Sequence, residues 1–153
     1  MEPRFVDREA LRVMGVLVRC RPEAADFGDI WMNQFMSRHD EVAPLSTDGA
    51  YYGVDYMPDD QGLMEYVAGM AVGDVEAVRE GLVLREVPAA RYAVFECTVS
   101  TIGEAYGHIH GAWLPSSEEY ELHDRKPGLE YYPPNTESNE SPVFIYIPVR
   151  PKK

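Results

Sequence analysis

Apolar positions along this chain follow two rhythms, one of strands and one of helices, and the order of the two occurs twice. Residues 12–20 read Arg-Val-Met-Gly-Val-Leu-Val-Arg-Cys, with apolar side chains on both faces, the pattern of a strand covered on both sides. A helix is predicted from Asp26 to Ser37, where Phe27, Ile30, Trp31 and Phe35 fall at i, i+3, i+4 and i+8 on one aromatic stripe. Two strands follow, Ala50 to Tyr56 and Leu63 to Val72, separated by Met-Pro-Asp-Asp-Gln-Gly with its turn chemistry.

The order then recurs. A strand is predicted from Arg91 to Val99 and a helix from Thr101 to Leu114, with Ile102, Tyr106, Ile109 and Trp113 on its stripe. Thr101 and Glu104 form a capping-box pattern at its start, and Pro115 is expected to end it. Strands at Gly128–Tyr132 and Val143–Val149 complete the second set, while the acidic segment Ser116 to Lys126 reads as a loop or an edge hairpin. Val13 and Tyr92 are 79 positions apart, as are Tyr51 and Glu130, and Tyr66 and Tyr146 are 80 apart. This spacing implies a single α+β domain over 1–153, built from tandem strand-helix-strand-strand repeats at about 10–72 and 90–150 and related by a pseudo-twofold axis. Each helix must bury its stripe against the sheet. Two helices on one face of an antiparallel sheet leave a groove between them, the concave, ring-lined setting in which small ligands bind.

Charge narrows the partners. Fourteen Lys and Arg against 26 Asp and Glu give a net charge of −12, which disfavours direct binding to nucleic acid or to an anionic membrane surface. The chain lacks an apolar leader and any run long enough for a membrane helix. Cys20 and Cys97, its only cysteines, are expected to be the reduced thiols of a cytoplasmic protein. Tyr outnumbers Phe ten to five, and a ring with a polar tip suits a surface both apolar and hydrogen-bonding, such as a cleft wall.

Cofactor and nucleophile chemistry finds no foothold. The sequence has no phosphate loop, dinucleotide fingerprint or esterase Gly-x-Ser-x-Gly. His108 and His110 diverge on a helix; Glu104 and His108 share a face but make only two ligands, so neither a metal nor a cofactor is expected. One carboxylate stands out. Glu130 lies within Gly-Leu-Glu-Tyr-Tyr, on the same strand face as Tyr132 and opposite to Leu129 and Tyr131. By pattern alone, an edge glutamate turned to water is the ordinary outcome. Facing the groove instead, it would need tyrosine hydroxyls to hold it and an organic cation to neutralise it, with cation-π attraction of about 0.5–2 kcal/mol per well-placed ring. Its repeat counterpart is Tyr51, expected to face it about the axis.

Trp113-Leu114-Pro115, Tyr120-Glu121, Leu129-Glu130-Tyr131-Tyr132 and Ile145-Tyr146-Ile147-Pro148-Val149, with Val87 to Phe95 and Tyr52-Gly53-Val54, resemble the GyrI-like small-molecule-binding family. That family includes effector-binding domains of multidrug-responsive and AraC-type transcription activators. The resemblance implies the same tandem fold and carries a buried pocket glutamate onto Glu130 and a pocket tyrosine onto Tyr146. Trp31, Tyr51, Tyr66, Tyr106 and Trp113 join them as ligand-binding candidates on the geometry of the stripes and strands. Ser116-Ser117-Glu118-Glu119 departs from the Asn-Ser-Gly that members often carry after Trp-Leu-Pro, which alters the pocket rim. The tandem repeat is expected to take up these 153 residues, leaving no room among them for the regulators' helix-turn-helix.

Three functions follow as expectations. The first is binding of lipophilic, often cationic, small molecules, for sensing or sequestration. The second, implied by the resemblance, is hydrolysis of cyclopropane-bearing DNA-alkylating compounds, with Glu130 and Tyr146 as catalytic groups. The third is a protein partner such as gyrase, for which the −12 charge could imitate nucleic acid.

Overall fold

The computed structural model describes residues 2–152. Its strands are β1 (Arg4–Arg8), β2 (Leu11–Cys20), β3 (Ser46–Asp55), β4 (Met64–Val72), β5 (Val83–Val87), β6 (Ala90–Thr98), β7 (Tyr120–Leu122), β8 (Gly128–Tyr132) and β9 (Pro142–Pro151). They form an antiparallel sheet in the order β1-β6-β9-β8-β3-β4-β2-β5, and β7 pairs with the end of β9. The two halves meet where β3 pairs β8, with Tyr52 opposite Tyr131. Those two tyrosines are themselves 79 residues apart, so the pseudo-axis passes between them.

β1 and β5 extend the expected repeat. Their charged ends, Arg-Phe-Val-Asp-Arg and Val-Leu-Arg-Glu-Val, suit the sheet edges they occupy, and five residues give too short a pattern to stand out. Each precedes its own half and pairs with the other: Arg8 of β1 lies opposite Ala90 of β6, and Val87 of β5 opposite Leu11 of β2. The repeated unit is therefore strand-strand-helix-strand-strand with its first strand exchanged. The segment after the second helix resolves the loop-or-hairpin alternative as a short strand, β7, with Leu122 opposite Val149.

Both helical runs cover one face of the sheet. The first spans residues 27–45, opening with a turn at Phe27–Asp29 that Asp26 caps by accepting from the Asp29 amide at 3.0 Å. It widens into a π segment at Ile30–Phe35 before tightening at Met36–Arg38. The second spans residues 99–116, with a π segment at Ile109–Trp113. Its cap differs from the expected one in part: Thr101 is the N-cap of the α-helical turns from Ile102 but makes no side-chain cap bond there, and the box lies one turn earlier, where Thr98 and Thr101 exchange side-chain and backbone bonds. Pro115 lies inside the last turn, Leu114–Ser116, rather than beyond the end.

The helix-covered face holds two cores, one around Met14, Ile30, Phe35 and Met70, the other around Phe95, Ile109, Ile145 and Val149. The opposite face curls over a third core of Val13, Tyr52, Tyr92, Leu129 and Tyr146. Arg8 closes that inner core, its guanidinium 5.6 Å from the Tyr52 ring centre and 5.3 Å from that of Tyr146. Alternation along β2 serves two cores at once, Val13 inside the curl and Met14 beneath the helix. That is why its sequence is apolar on both sides.

Candidate ligand pocket

Glu130 is the one buried charged side chain of the described core, 5% exposed. It lies on the helix-covered face because Leu129, its neighbour in β8, is committed to the inner core. Three phenols surround it. Tyr66 of β4 donates to Oε1 at 2.7 Å, Tyr132 of β8 to the same oxygen at 2.8 Å, and Tyr106 of the second helix to Oε2 at 2.8 Å. Burial first, and then the charge of Glu130, raise all three phenols well above their ordinary range. They stay protonated and serve as donors. Trp31 fixes the arrangement from behind, its indole N–H donating to Tyr66 at 3.0 Å and its ring 5.3 Å from that of Tyr132.

Room for this cluster comes from a missing side chain. Gly53 lies directly opposite Glu130 in the β3–β8 pairing. A Cβ there would stand 2.2 Å from the Tyr66 hydroxyl oxygen and 2.7 Å from Glu130 Oε1.

A second carboxyl belongs to the same cluster. Asp55 ends β3 two residues beyond Gly53, and its Oδ2 is 3.1 Å from the Tyr106 hydroxyl. Burial and the charge of Glu130 push Asp55 up to about 7, against the opposing hydrogen bonds from Tyr106 and the Gly128 backbone. Gly128 is again the residue that makes room, since a Cβ at that position would meet Asp55 Oδ1 at 2.4 Å.

Both carboxyls open onto a half-open pocket of about 320 Å³ between the start of the first helix and the middle of the second, within the range of small-molecule sites. Phe27 and Tyr106 face it from the helices, Tyr56, Met57 and Met64 from β4 and its connection to β3, and Ile147 and Pro148 from β9. Phe27 stands edge-on to Tyr66 at 4.9 Å between ring centres and is 40% exposed, an apolar ring left open on the pocket side.

The candidates separate into three groups. Glu130, Tyr66 and Tyr106 come together at the pocket. Trp31 and Tyr51 lie in the layer behind it, Tyr51 with its hydroxyl 3.2 Å from His39 Nε2. Tyr51 does not face Glu130 directly, because the register sets it opposite Tyr132. Trp113 packs instead against Phe95 and Phe5, at 5.2 and 6.1 Å, in the second-helix core. Tyr146 corrects the sequence reading most clearly. It pairs with Leu129 rather than Glu130, so its side chain points into the inner core, where its ring meets Tyr92 at 5.5 Å. Its 80-residue spacing from Tyr66 is even where the repeat is odd, and one residue of slip turns a strand side chain to the other face.

Asp55 and Phe27 went unnamed among the sequence candidates. Alternation from Tyr51 through Gly53 places Asp55 on the face of Glu130, and that signal was available. Of the two cysteines, both free, Cys97 lies in the second-helix core. Burial, followed by the charges of Glu130 and Glu96, raises its thiol to about 11, which suppresses the reactive thiolate. No helix among the described residues is long and apolar enough to cross a membrane.

Similarity to known proteins agrees with this architecture. The transcriptional regulator BrlR of Pseudomonas aeruginosa is 31% identical over 156 residues, a match covering 97% of this chain and 56% of BrlR. The chain thus spans about half the length of that curated relative. Among solved structures, SAV2435 bound to tetraphenylphosphonium superposes with a TM-score of 0.73 at 19% identity, covering 98% of this chain and 94% of that one. The C-terminal domain of EcmrR superposes with a TM-score of 0.69 at 15% identity and 97% coverage of each chain. At such identities the superpositions show the shared fold. Residues 1–150 match the family described as the GyrI-like small molecule binding domain, and the chain belongs to that family.

Proposed function

We propose that this domain binds lipophilic organic cations in the pocket between its helices, with Glu130 as the counter-charge. One observation carries the reading: a 5% exposed carboxylate is held by three phenolic hydroxyls and forms no ion pair with Lys or Arg among the described residues. Neutral donors satisfy its lone pairs but leave its charge uncompensated. A cation seated beside it gains that attraction in a site of reduced water content, together with burial of its own apolar surface and about 0.5–2 kcal/mol from each ring it faces. Phe27, Tyr56, Tyr66 and Tyr106 provide such rings. The tetraphenylphosphonium bound to the structurally similar SAV2435 is a lipophilic cation of this class.

Fluorescence titration with tetraphenylphosphonium and with neutral triphenylphosphine oxide tests the reading. Glu130→Gln should weaken the cation by about tenfold or more and leave the neutral compound unchanged. Equal losses for both would overturn it.

A second reading, hydrolysis of a strained electrophilic ring, draws support from the carboxyl pair. Asp55, near 7, is poised to give or take a proton beside Glu130. Incubation with a cyclopropane-bearing alkylating compound should then yield a water adduct by mass spectrometry, lost in Asp55→Asn. Unchanged compound at stoichiometric protein would remove this reading.

A further inference from the structure

The Tyr106 hydroxyl has one hydrogen and two carboxyl neighbours. Its oxygen is 2.8 Å from Glu130 Oε2 and 3.1 Å from Asp55 Oδ2. Burial and adjacent negative charge keep that hydrogen on the phenol, and one hydrogen can lie along only one of the two contacts, the shorter of which runs to Glu130. With both carboxyls ionised, Asp55 Oδ2 would then face the phenol oxygen with no hydrogen between them. A proton on Asp55 completes the line instead: Asp55 donates to Tyr106, and Tyr106 donates to Glu130.

The other groups around Asp55 do not remove this demand. Glu130 in β8 adds negative charge and the Gly128 backbone N–H donates to Asp55 against it, while Tyr66 in β4 is already committed to Glu130, and Tyr56, next after Asp55 in the chain, lies under the Arg85 guanidinium at 5.4 Å. Tyr92 in β6 senses the Asp55 charge and is itself pushed up to about 12, chiefly by burial. His110 lies one helical turn beyond Tyr106 at the pocket wall. Lys126 lines the pocket too, but its ammonium is held 2.6 Å from the Ala89 carbonyl oxygen.

We propose that Asp55 is a second anionic subsite, protonated in the empty pocket, which releases its proton to solvent when a ligand carrying two positive charges binds. This rests on the cation reading above and sharpens it to a ligand class. One charge is matched by Glu130 alone. A second charge placed within reach of the same tyrosine hydroxyl takes the site of the Asp55 proton, and the pocket moves from one negative charge to two. The carboxyls share a hydrogen-bond partner, so the two ligand charges belong on one compact, flat framework rather than at the ends of a long chain.

Two probes of nearly the same shape separate the claims: N-methyl-4-phenylpyridinium, with one charge, and N,N′-dimethyl-4,4′-bipyridinium, with two. Calorimetric titration of the wild-type domain at pH 6, in buffers of different ionisation heat, counts the protons released. The bipyridinium should release about one proton, and its affinity should rise about tenfold per pH unit below the Asp55 transition near 7 and then level off. The phenylpyridinium should release almost none. Asp55→Asn, which retains a donor toward Tyr106, should abolish the release and, at pH 8, weaken the bipyridinium about tenfold more than the phenylpyridinium. Binding of both cations with no proton release and no effect of Asp55→Asn would overturn the subsite and leave the cation reading intact. Failure of both cations to bind would overturn the two together.

Discussion

In the half containing β2, the first helix, β3 and β4, the position 79 residues before Glu130 is Tyr51, whose hydroxyl lies beside His39. The equivalent of Tyr106 is Phe27, which has no hydroxyl, and the equivalent of Tyr132 is Gly53, which has no side chain at all. The backbones keep the symmetry that these side chains abandon. Ile30 and Ile109, where the two π segments start, are 79 apart and are 2% and 0% exposed. Duplicated scaffolding thus places two like walls about an axis. Unlike substitutions at matched positions then gather the polar groups at one of two equivalent places. Phe27 and Tyr106 show the division of labour: both face the pocket, one as an apolar ring, the other as a ring with a donor.

Breaking the asymmetry where space is tightest should have the largest effect. Gly53→Ala puts a methyl group against the Tyr66 hydroxyl and Glu130, and thermal or urea unfolding should show a loss of about 1–3 kcal/mol together with loss of tetraphenylphosphonium binding. An alanine accepted with neither loss would show that the Tyr66–Glu130 bond does not depend on the missing side chain.

The carboxyl supplied by the first half should appear in the pH dependence of stability. Asp55 is raised from 3.8 to about 7 in the folded protein, so between those values the native state holds a proton that the unfolded chain has released. Its contribution is fully present below the unfolded value and is lost as pH rises toward the folded one. Stability should therefore fall between about pH 4 and 7, and Asp55→Asn should flatten that fall. Urea midpoints across the range measure it; an unchanged slope in the variant would assign the titration elsewhere.

Removing a single donor should matter less. Tyr132→Phe takes away one of the two hydrogen bonds to Glu130 Oε1 and should cost about 1 kcal/mol in urea unfolding, with a measurable loss of cation affinity. The smallest effect is expected at the counterpart of the glutamate itself. Tyr51→Phe loses only the half-buried contact with His39, so less than about 1 kcal/mol and no change in cation binding should follow. A binding loss equal to that of Tyr132→Phe would make the two halves functionally alike.

Much of the fold was legible because periodicity and spacing report on burial. β8 falls at Gly128–Tyr132 as its pattern predicts, and both helices pack the stripe that their spacing marks against the sheet, except for Phe27, which stays 40% exposed. β1 and β5 were not legible. A five-residue edge strand carries little alternation, and its partner lies in the other half of the chain. In the site, alternation within one short strand put Glu130 on the face of Tyr132, but pattern alone favoured turning it to water and only the family resemblance carried it into a pocket; Asp55 could have been set on the same face by the same rule in β3. Tyr146 could not be placed this way, since the face it presents depends on the register of β9 against β8, a relation between distant segments.

The sequence by itself determined the doubled α+β architecture, the two helical walls and the sharing of one strand face by Glu130 and Tyr132, since each of these follows from the local order of apolar and polar residues. Only the tertiary structure decided which tyrosines reach that carboxylate, that Asp55 shares the Tyr106 hydroxyl with it, and that Tyr146 belongs to the opposite core. Those outcomes depend on strand register and on the space left by Gly53 and Gly128, and register is fixed by packing across the whole sheet rather than by any one segment.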